Sequence, residues 1–267
     1  MLKCDIVRFF DCIPRNHLKA LIRRRVGWKV IAELLCQAVD TELHLQSDED
    51  IQIVAENGVR RGIGLRQGMP ISPMLSNLLL KQFDESLERQ GIVAVRYADD
   101  IAIFAESRQD CLSSLAAVQQ GLAKLSLQVP DLADHGKTTI HGPSDPAEFL
   151  GVEIRRFENA YRLCAPTKKI AKIEIDMASM VKLQKCIETK RNIGHVVRAL
   201  DSFTIGHAAS MAVLNDSGTF MARLEAAKQR QIRALLVNLL GGSVVKNLSH
   251  DHLAILGAEP FGSKSIR

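Results

Sequence analysis

The sequence predicts an α/β unit, with an antiparallel sheet and packed helices, followed by an all-helical unit. Three observations predict this. Short β-rich runs at residues 2–7, 92–105 and 149–164 alternate with stretches of helical apolar spacing. Strand-like runs stop near residue 165, and helical periodicity continues from there to about Leu240. Nearly half of the 267 residues are hydrophobic, enough for a sizeable core. The expected division is a mixed unit over residues 1–165, a helical unit over 166–242 and a tail over 243–267.

LKCDIV at residues 2–7 reads as a strand with Asp5 near its C-terminal end, followed by an irregular FFDCIP segment and a helix from about Arg15. Asp40 to Gly58 is polar. Within it, Ile51-Gln-Ile-Val before Asn57-Gly58 predicts a surface hairpin. GIGLRQGMPISP is a Gly- and Pro-rich loop entering a helix that Ser72 can cap and Pro73 can begin. Leu75, Leu78, Leu79, Phe83 and Leu87 give that helix one buried face.

IVAVRYADDIAIFA at residues 92–105 predicts two strands around a tight turn at Ala98-Asp99, and a helix with Leu112, Leu115, Leu122 and Leu125 follows. A second hairpin is predicted over 149–155 and 161–164, turning near Glu158-Asn159 and closed by Pro166. The helices beyond it should break near Gly206 and at Asn215 to Gly218, and Gly241-Gly242 should end the last long one.

No apolar run approaches the roughly 20 residues of a membrane span, and MLKCDIVRFF lacks the features of a signal peptide. The expectation is an intracellular, cytoplasmic protein without membrane partners. Six cysteines without any CxxC pair argue against a zinc ribbon or a disulfide framework. His250 and His252 stand apart from other ligand types, so no zinc is expected and a solvated C-terminal turn is the reading. The formal charge is only +5, but Arg155 to Arg198 holds eleven Lys or Arg against four Asp or Glu. That local excess suits a phosphate backbone, although a solvated helix face is its commoner meaning.

Three acidic residues stand where carboxylates are costly: Asp5 at a strand end, and Asp99 and Asp100 at the tip of an apolar hairpin. Carboxylates gathered from separate strands repel unless cations compensate them, and two divalent ions there can serve in-line phosphoryl transfer.

The chain resembles reverse transcriptases of the bacterial retron and group II intron type. Asp5-Ile6-Val7-Arg8-Phe9-Phe10-Asp11 is similar to the family's first palm motif, and GLRQGMPISPMLSN from Gly64 to Asn77 resembles its glutamine-glycine and serine-proline motif. Tyr97-Ala98-Asp99-Asp100 matches the YxDD box, which alone is a weak signal. Lys137-Thr138 resembles the downstream lysine motif, and Phe149-Leu150-Gly151 the primer-gripping hairpin. The specific signal is their shared order, over residues 2–155; the helical remainder resembles a thumb only by position and character.

The resemblance implies an RNA-directed DNA polymerase with a palm followed by an all-helical thumb, acting on dNTPs, an RNA template and a DNA or RNA primer. It implies two Mg²⁺ ions, replaceable by Mn²⁺, on Asp5 and Asp99 with Asp100 beside them and the Ile6 carbonyl assisting. Tyr97 would place the primer end, Phe10 would crowd the sugar 2′ position, and Gln67 and Gly68 would lie against the incoming nucleotide and the template pair. Lys137 would approach the triphosphate. Phe149, Leu150 and Gly151 would grip the primer, while Lys168, Lys169 and Lys172 would follow the duplex backbone.

One departure affects this expectation. The family's first palm motif normally follows an extensive fingers region, and only four residues precede Asp5 here. Either the chain is a truncated reading frame or a partner protein supplies the fingers, and the uncovered palm should leave apolar surface and a sheet edge open to association. A retroelement and an antiviral-defence polymerase both fit the motifs. The rival class is a polymerase-derived protein that binds nucleic acid or a partner and has lost synthesis; an RNA-dependent RNA polymerase is disfavoured by Phe10.

Overall fold

The computed structural model describes residues 1–43, 47–56, 60–132, 136–158 and 160–256. It divides into two compact units, Met1–Asp145 and Pro146–Arg267.

The first unit runs β1 (Leu2–Asp5), α1 (Phe9–Cys12), α2 (Arg15–Arg25), α3 (Lys29–Val39), α4 (Asp48–Glu56), α5 (Ser72–Arg89), β2 (Val93–Tyr97), β3 (Asp100–Phe104), α6 (Arg108–Ala123) and β4 (Thr139–Ile140). Its strands form one sheet in the order β2-β3-β1-β4, with all neighbours antiparallel. Because strand side chains alternate between faces, Leu2 and Cys4 share a face with their cross-strand partners Ile103 and Ile101. All four are fully buried, in one core with Leu75, Leu79, Leu80, Phe83 and Leu87 of α5 and with Leu115, Val118 and Leu122 of α6. Gly121 permits close approach there, since a Cβ at that position would stand 2.8 Å from the Phe83 ring.

The opposite face of the sheet carries Lys3, Asp5, Asp100, Ala102, Val95 and Tyr97. The predicted strand, the 98–99 turn and the buried face of α5 are therefore present. β1 lies between β3 and β4, so the sheet's edges are the two-residue β4 and β2, where Val93, Val95 and Tyr97 are exposed.

Three local expectations are corrected in this unit. Residues 48–56 form a helix, where a hairpin strand was expected. The Ser47 hydroxyl accepts from the Asp50 amide while the Asp50 carboxylate accepts from the Ser47 amide, and this reciprocal cap favours a helix start. The Asn57-Gly58 turn lies outside the described residues. The FFDC part of the segment expected to be irregular is the short helix α1. Ser72 does not cap α5; it is the first helical residue, and its hydroxyl donates to the Arg66 carbonyl at 2.9 Å.

The second unit runs β5 (Ala147–Phe149), β6 (Val152–Phe157), β7 (Ala160–Cys164), α7 (Thr167–Met180), α8 (Leu183–Glu188), α9 (Ile193–Ser210), α10 (Ser217–Leu240), α11 (Gly242–Asn247) and α12 (His250–Ile255). Its antiparallel sheet β5-β6-β7 contains the predicted hairpin, with Glu158 at φ 51 in the turn; Asn159 lies outside the described residues. The hairpin is anchored to the segment before α10, where the Leu163 amide donates to the Asn215 side chain and the Asn215 amide donates to the Leu163 carbonyl.

Ile173, Met177, Leu200, Phe220, Leu224 and Ile232 build this unit's core. Val245 and Leu253, from the stretch expected to be a tail, join it. Contrary to expectation, α9 continues through Gly206, where the cost of an isolated helical glycine, about 1 kcal/mol, is outweighed by packing along 18 residues. Among the described residues no helix is long and apolar enough to cross a membrane. All six cysteines are free, and five are buried.

Candidate active site

The β1–β3 ladder places Asp5 directly opposite Asp100, and the β2–β3 ladder places Tyr97 opposite the same residue. Residues so paired point to one face of a sheet. Asp99 occupies the turn between the strands, and the Ile6 amide donates to its carbonyl at 3.1 Å. Asp5, Ile6, Tyr97, Asp99 and Asp100, expected to act together, are thus gathered at one end of the sheet. Tyr97 is 66% exposed, so it is available there and not consumed in hairpin packing.

The carboxylates are under-compensated. Burial pushes the Asp5 carboxyl up to about 6, reinforced by the charges of Asp99 and Asp100 and by a hydrogen bond with Asp99. Lys137 opposes the shift, so the expected lysine contributes positive charge to this site. Its neighbour Thr138 is buried and donates to the Pro130 carbonyl at 2.6 Å, which anchors the segment that carries Lys137. Burial also pushes the Cys4 thiol beneath Asp5 up to about 12, keeping it neutral. Among the described residues no three Asp, Glu, His or Cys side chains close around one point as a preformed metal nest.

The expected nucleotide residues converge as well. Phe10, Gln67 and Gly68 line one cavity of about 380 Å³ with Met69, Ser72 and Pro73. The loop from Gly64 to Gly68 is fastened to the first motif: the Leu65 amide donates to the Phe10 carbonyl at 2.7 Å, and the Gly64 amide to the Ile13 carbonyl at 2.8 Å. Gly64, at φ +80, is required by this approach, because a Cβ would come within 2.8 Å of the Phe10 and Asp11 carbonyl oxygens. Gly68 has φ +86 and open space around it.

A charge network built on the buried Arg15 and the partly exposed Glu42 and Arg66 holds the same loop from behind, and no sequence motif points to it. Arg15 is 3% exposed; it donates from Nε to the Gly64 carbonyl at 2.7 Å and from Nη1 to Glu42 Oε1 at 2.6 Å. Glu42 also accepts from the Gly62 amide and from Arg66, the residue before Gln67. Burial opposes ionisation of Glu42, but the Gly62 amide and the two guanidinium groups outweigh it and hold the carboxyl at about 2. A lone Arg after Pro14 and a lone Glu in a polar stretch carry no local signal of such a pairing.

In the second unit, Leu150 and Gly151 form the two-residue turn between β5 and β6, with φ of 50 and 73 as a type I′ turn requires. Lys169 reaches back to this turn, its Nζ donating to the Gly151 carbonyl at 3.3 Å. It therefore buttresses the expected primer-gripping segment Phe149 to Gly151. Lys168 and Lys172 are exposed one turn apart on α7.

Residues 1–154 match the family described as reverse transcriptase (RNA-dependent DNA polymerase). The Retrovirus-related Pol polyprotein from type-1 retrotransposable element R2 of Nasonia vitripennis is 26% identical over an alignment of 163 residues, with 57% of this chain and 15% of that polyprotein covered. Among solved structures, telomerase from Candida albicans in complex with a TWJ fragment of telomeric RNA is 11% identical, with 93% of this chain and 51% of that one covered and a TM-score of 0.44. Apo telomerase from Candida tropicalis is 14% identical, with 92% and 51% covered and a TM-score of 0.40. With more than half of its length matched, the chain belongs to the reverse transcriptase (RNA-dependent DNA polymerase) family.

Proposed function

We propose that the chain carries the palm, within residues 1–165, and the thumb, within 166–242, of an RNA-directed DNA polymerase that extends a primer by two-metal phosphoryl transfer. The observation that carries this reading is the pairing of Asp5 with Asp100 across β1 and β3, beside Asp99 in the adjoining turn.

The donor chemistry fits Mg²⁺, with Mn²⁺ as a substitute. Burial, reinforced by the negative charge that Asp99 and Asp100 leave beside one lysine, raises the Asp5 carboxyl to about 6. Mg²⁺ takes one or two carboxylates, waters and substrate phosphates instead of a full protein cage, which suits aspartates that do not form a closed nest. Asp5, Asp99, Asp100 and the Ile6 carbonyl would hold the ions. When bound, these supply the positive charge that eases deprotonation of a primer 3′-hydroxyl and stabilises a departing pyrophosphate.

The remaining roles belong to the protein. The cavity of Phe10, Gln67 and Gly68 binds the incoming dNTP, with the Phe10 ring limiting room at the sugar. Lys137 orients the triphosphate by charge and hydrogen bonding. Tyr97 and the turn at Phe149, Leu150 and Gly151 position the primer, and Lys168, Lys169 and Lys172 favour a phosphate backbone beside α7. An RNA template carrying a DNA or RNA primer is the substrate, in keeping with the RNA-dependent DNA polymerase family that residues 1–154 match.

The setting we favour is a retroelement, given the retrotransposon polyprotein among its relatives. The retron and group II intron wording of the motifs supports a bacterial, cytoplasmic element, and an antiviral-defence polymerase is the competing setting. Primer extension with labelled dNTPs on primed RNA tests the activity. Template-ordered products in Mg²⁺ support it, and a folded chain that binds primed RNA without extending it contradicts it.

A further inference from the structure

β2 alternates unusually: Val93, Val95 and Tyr97 are exposed, while Arg96 points toward α5 with its side chain only 11% exposed. A guanidinium so placed needs compensation. Arg96 Nε and Nη2 make paired bonds to Asp84 Oδ1 and Oδ2 of α5 at 2.8 and 2.6 Å. Its Nη1 donates to Asn77 Oδ1 at 3.1 Å and to the Ala98 carbonyl at 2.9 Å. Asn77 and Asp84 lie two turns apart on one side of α5, whose Leu80, Phe83 and Leu87 are fixed in the core.

The acceptor at Ala98 is the informative one. Ala98 has φ 52, a conformation that L side chains keep only where their surroundings over-determine it. Both carbonyls of the turn are held: Ala98 by Arg96 from the helix side, and Asp99 by the Ile6 amide from β1. We propose that Arg96 is a positioning residue for the carboxylate turn, transmitting the rigidity of α5 to Asp99 and Asp100 so that they keep their placement against Asp5. This inference rests on the polymerase reading of those aspartates. Arginine is needed because its planar fork serves Asp84 and Ala98 at once, whereas a lysine ammonium is a single point.

The test uses the full chain with Arg96→Lys and, separately, Asp84→Asn. Arg96 and Asp84 line a cavity of about 850 Å³, so water can reach the polar groups that either substitution leaves unpaired. Backbone hydrogen exchange at residues 98–100 should quicken in both variants, while the amides of α5 keep their protection. In primer extension, kcat should fall about 10²-fold, as for a small misplacement of reacting groups, with KM for dNTP little changed. Unchanged exchange at 98–100 in either folded variant overturns the proposal. So does a loss of kcat that tracks a global loss of protection. If the unaltered chain makes no product, the polymerase reading fails on its own terms, and the exchange result still decides whether Arg96 holds the turn.

Discussion

Asp5 and Asp100 face each other across the β1–β3 ladder, each at the end of its strand, on the sheet face opposite the buried helices. This one register fixes the polarity of the first unit: one face packs its core, and the other presents carboxylates and Tyr97. A slip by one residue would send these side chains into the core and bring Cys4 and Ile101 out.

Phe10 shares its cavity with Gln67 and Gly68, so enlarging that space should relax sugar discrimination. Phe10→Val is expected to raise rNTP use relative to dNTP by about 10- to 200-fold, the range for removing a small apolar contact in a pocket. Parallel incorporation assays measure the ratio; an unchanged ratio would show that Phe10 does not meet the sugar.

Gly64 is pressed against the Phe10 and Asp11 backbone at φ +80, where an added methyl group has no room. Gly64→Ala should therefore cost more than about 1 kcal/mol in urea unfolding and raise KM for dNTP by displacing the loop that carries Gln67. Wild-type stability in that variant would contradict the close approach.

Glu42, held at about 2 against an ordinary value near 4.5, links stability to pH through the same loop. Its folded value is depressed, so its contribution is fully present above about pH 4.5 and is lost as pH falls toward 2. Glu42→Gln should be less stable than the unaltered chain at pH 7, and the gap should narrow on acidification through that window. Thermal melts across pH measure it, and a gap independent of pH would remove Glu42 as the titrating group.

How much of this was legible in the sequence depended on whether a feature was local. The β1 strand, the 98–99 turn and the α5 face were readable because apolar periodicity and turn residues lie next to one another in the chain. The alternation of Ile51-Gln-Ile-Val suits a strand, whereas Ser47 and Asp50 specify a helix start. Gly206 predicts a break, although a single glycine is readily tolerated inside a long packed helix. The ordered motifs pointed to the aspartates and to the Phe10 cavity. The supports behind them, Arg15 with Glu42 and Arg96 with Asp84, join residues distant in sequence and leave no periodic trace. Arg96 did leave one usable signal: strand alternation sets it on the helix-covered face, where an arginine needs a carboxylate.

The central claim is most directly tested by comparing the purified chain with its Asp99→Ala, Asp100→Ala variant on primed RNA, measuring labelled dNTP incorporation in Mg²⁺ and affinity for the primed RNA together. The account predicts incorporation by the unaltered chain and none detectable in the variant, with both folded and both retaining affinity. Equal incorporation by the two, or none by a folded unaltered chain that binds the primed RNA, would contradict it.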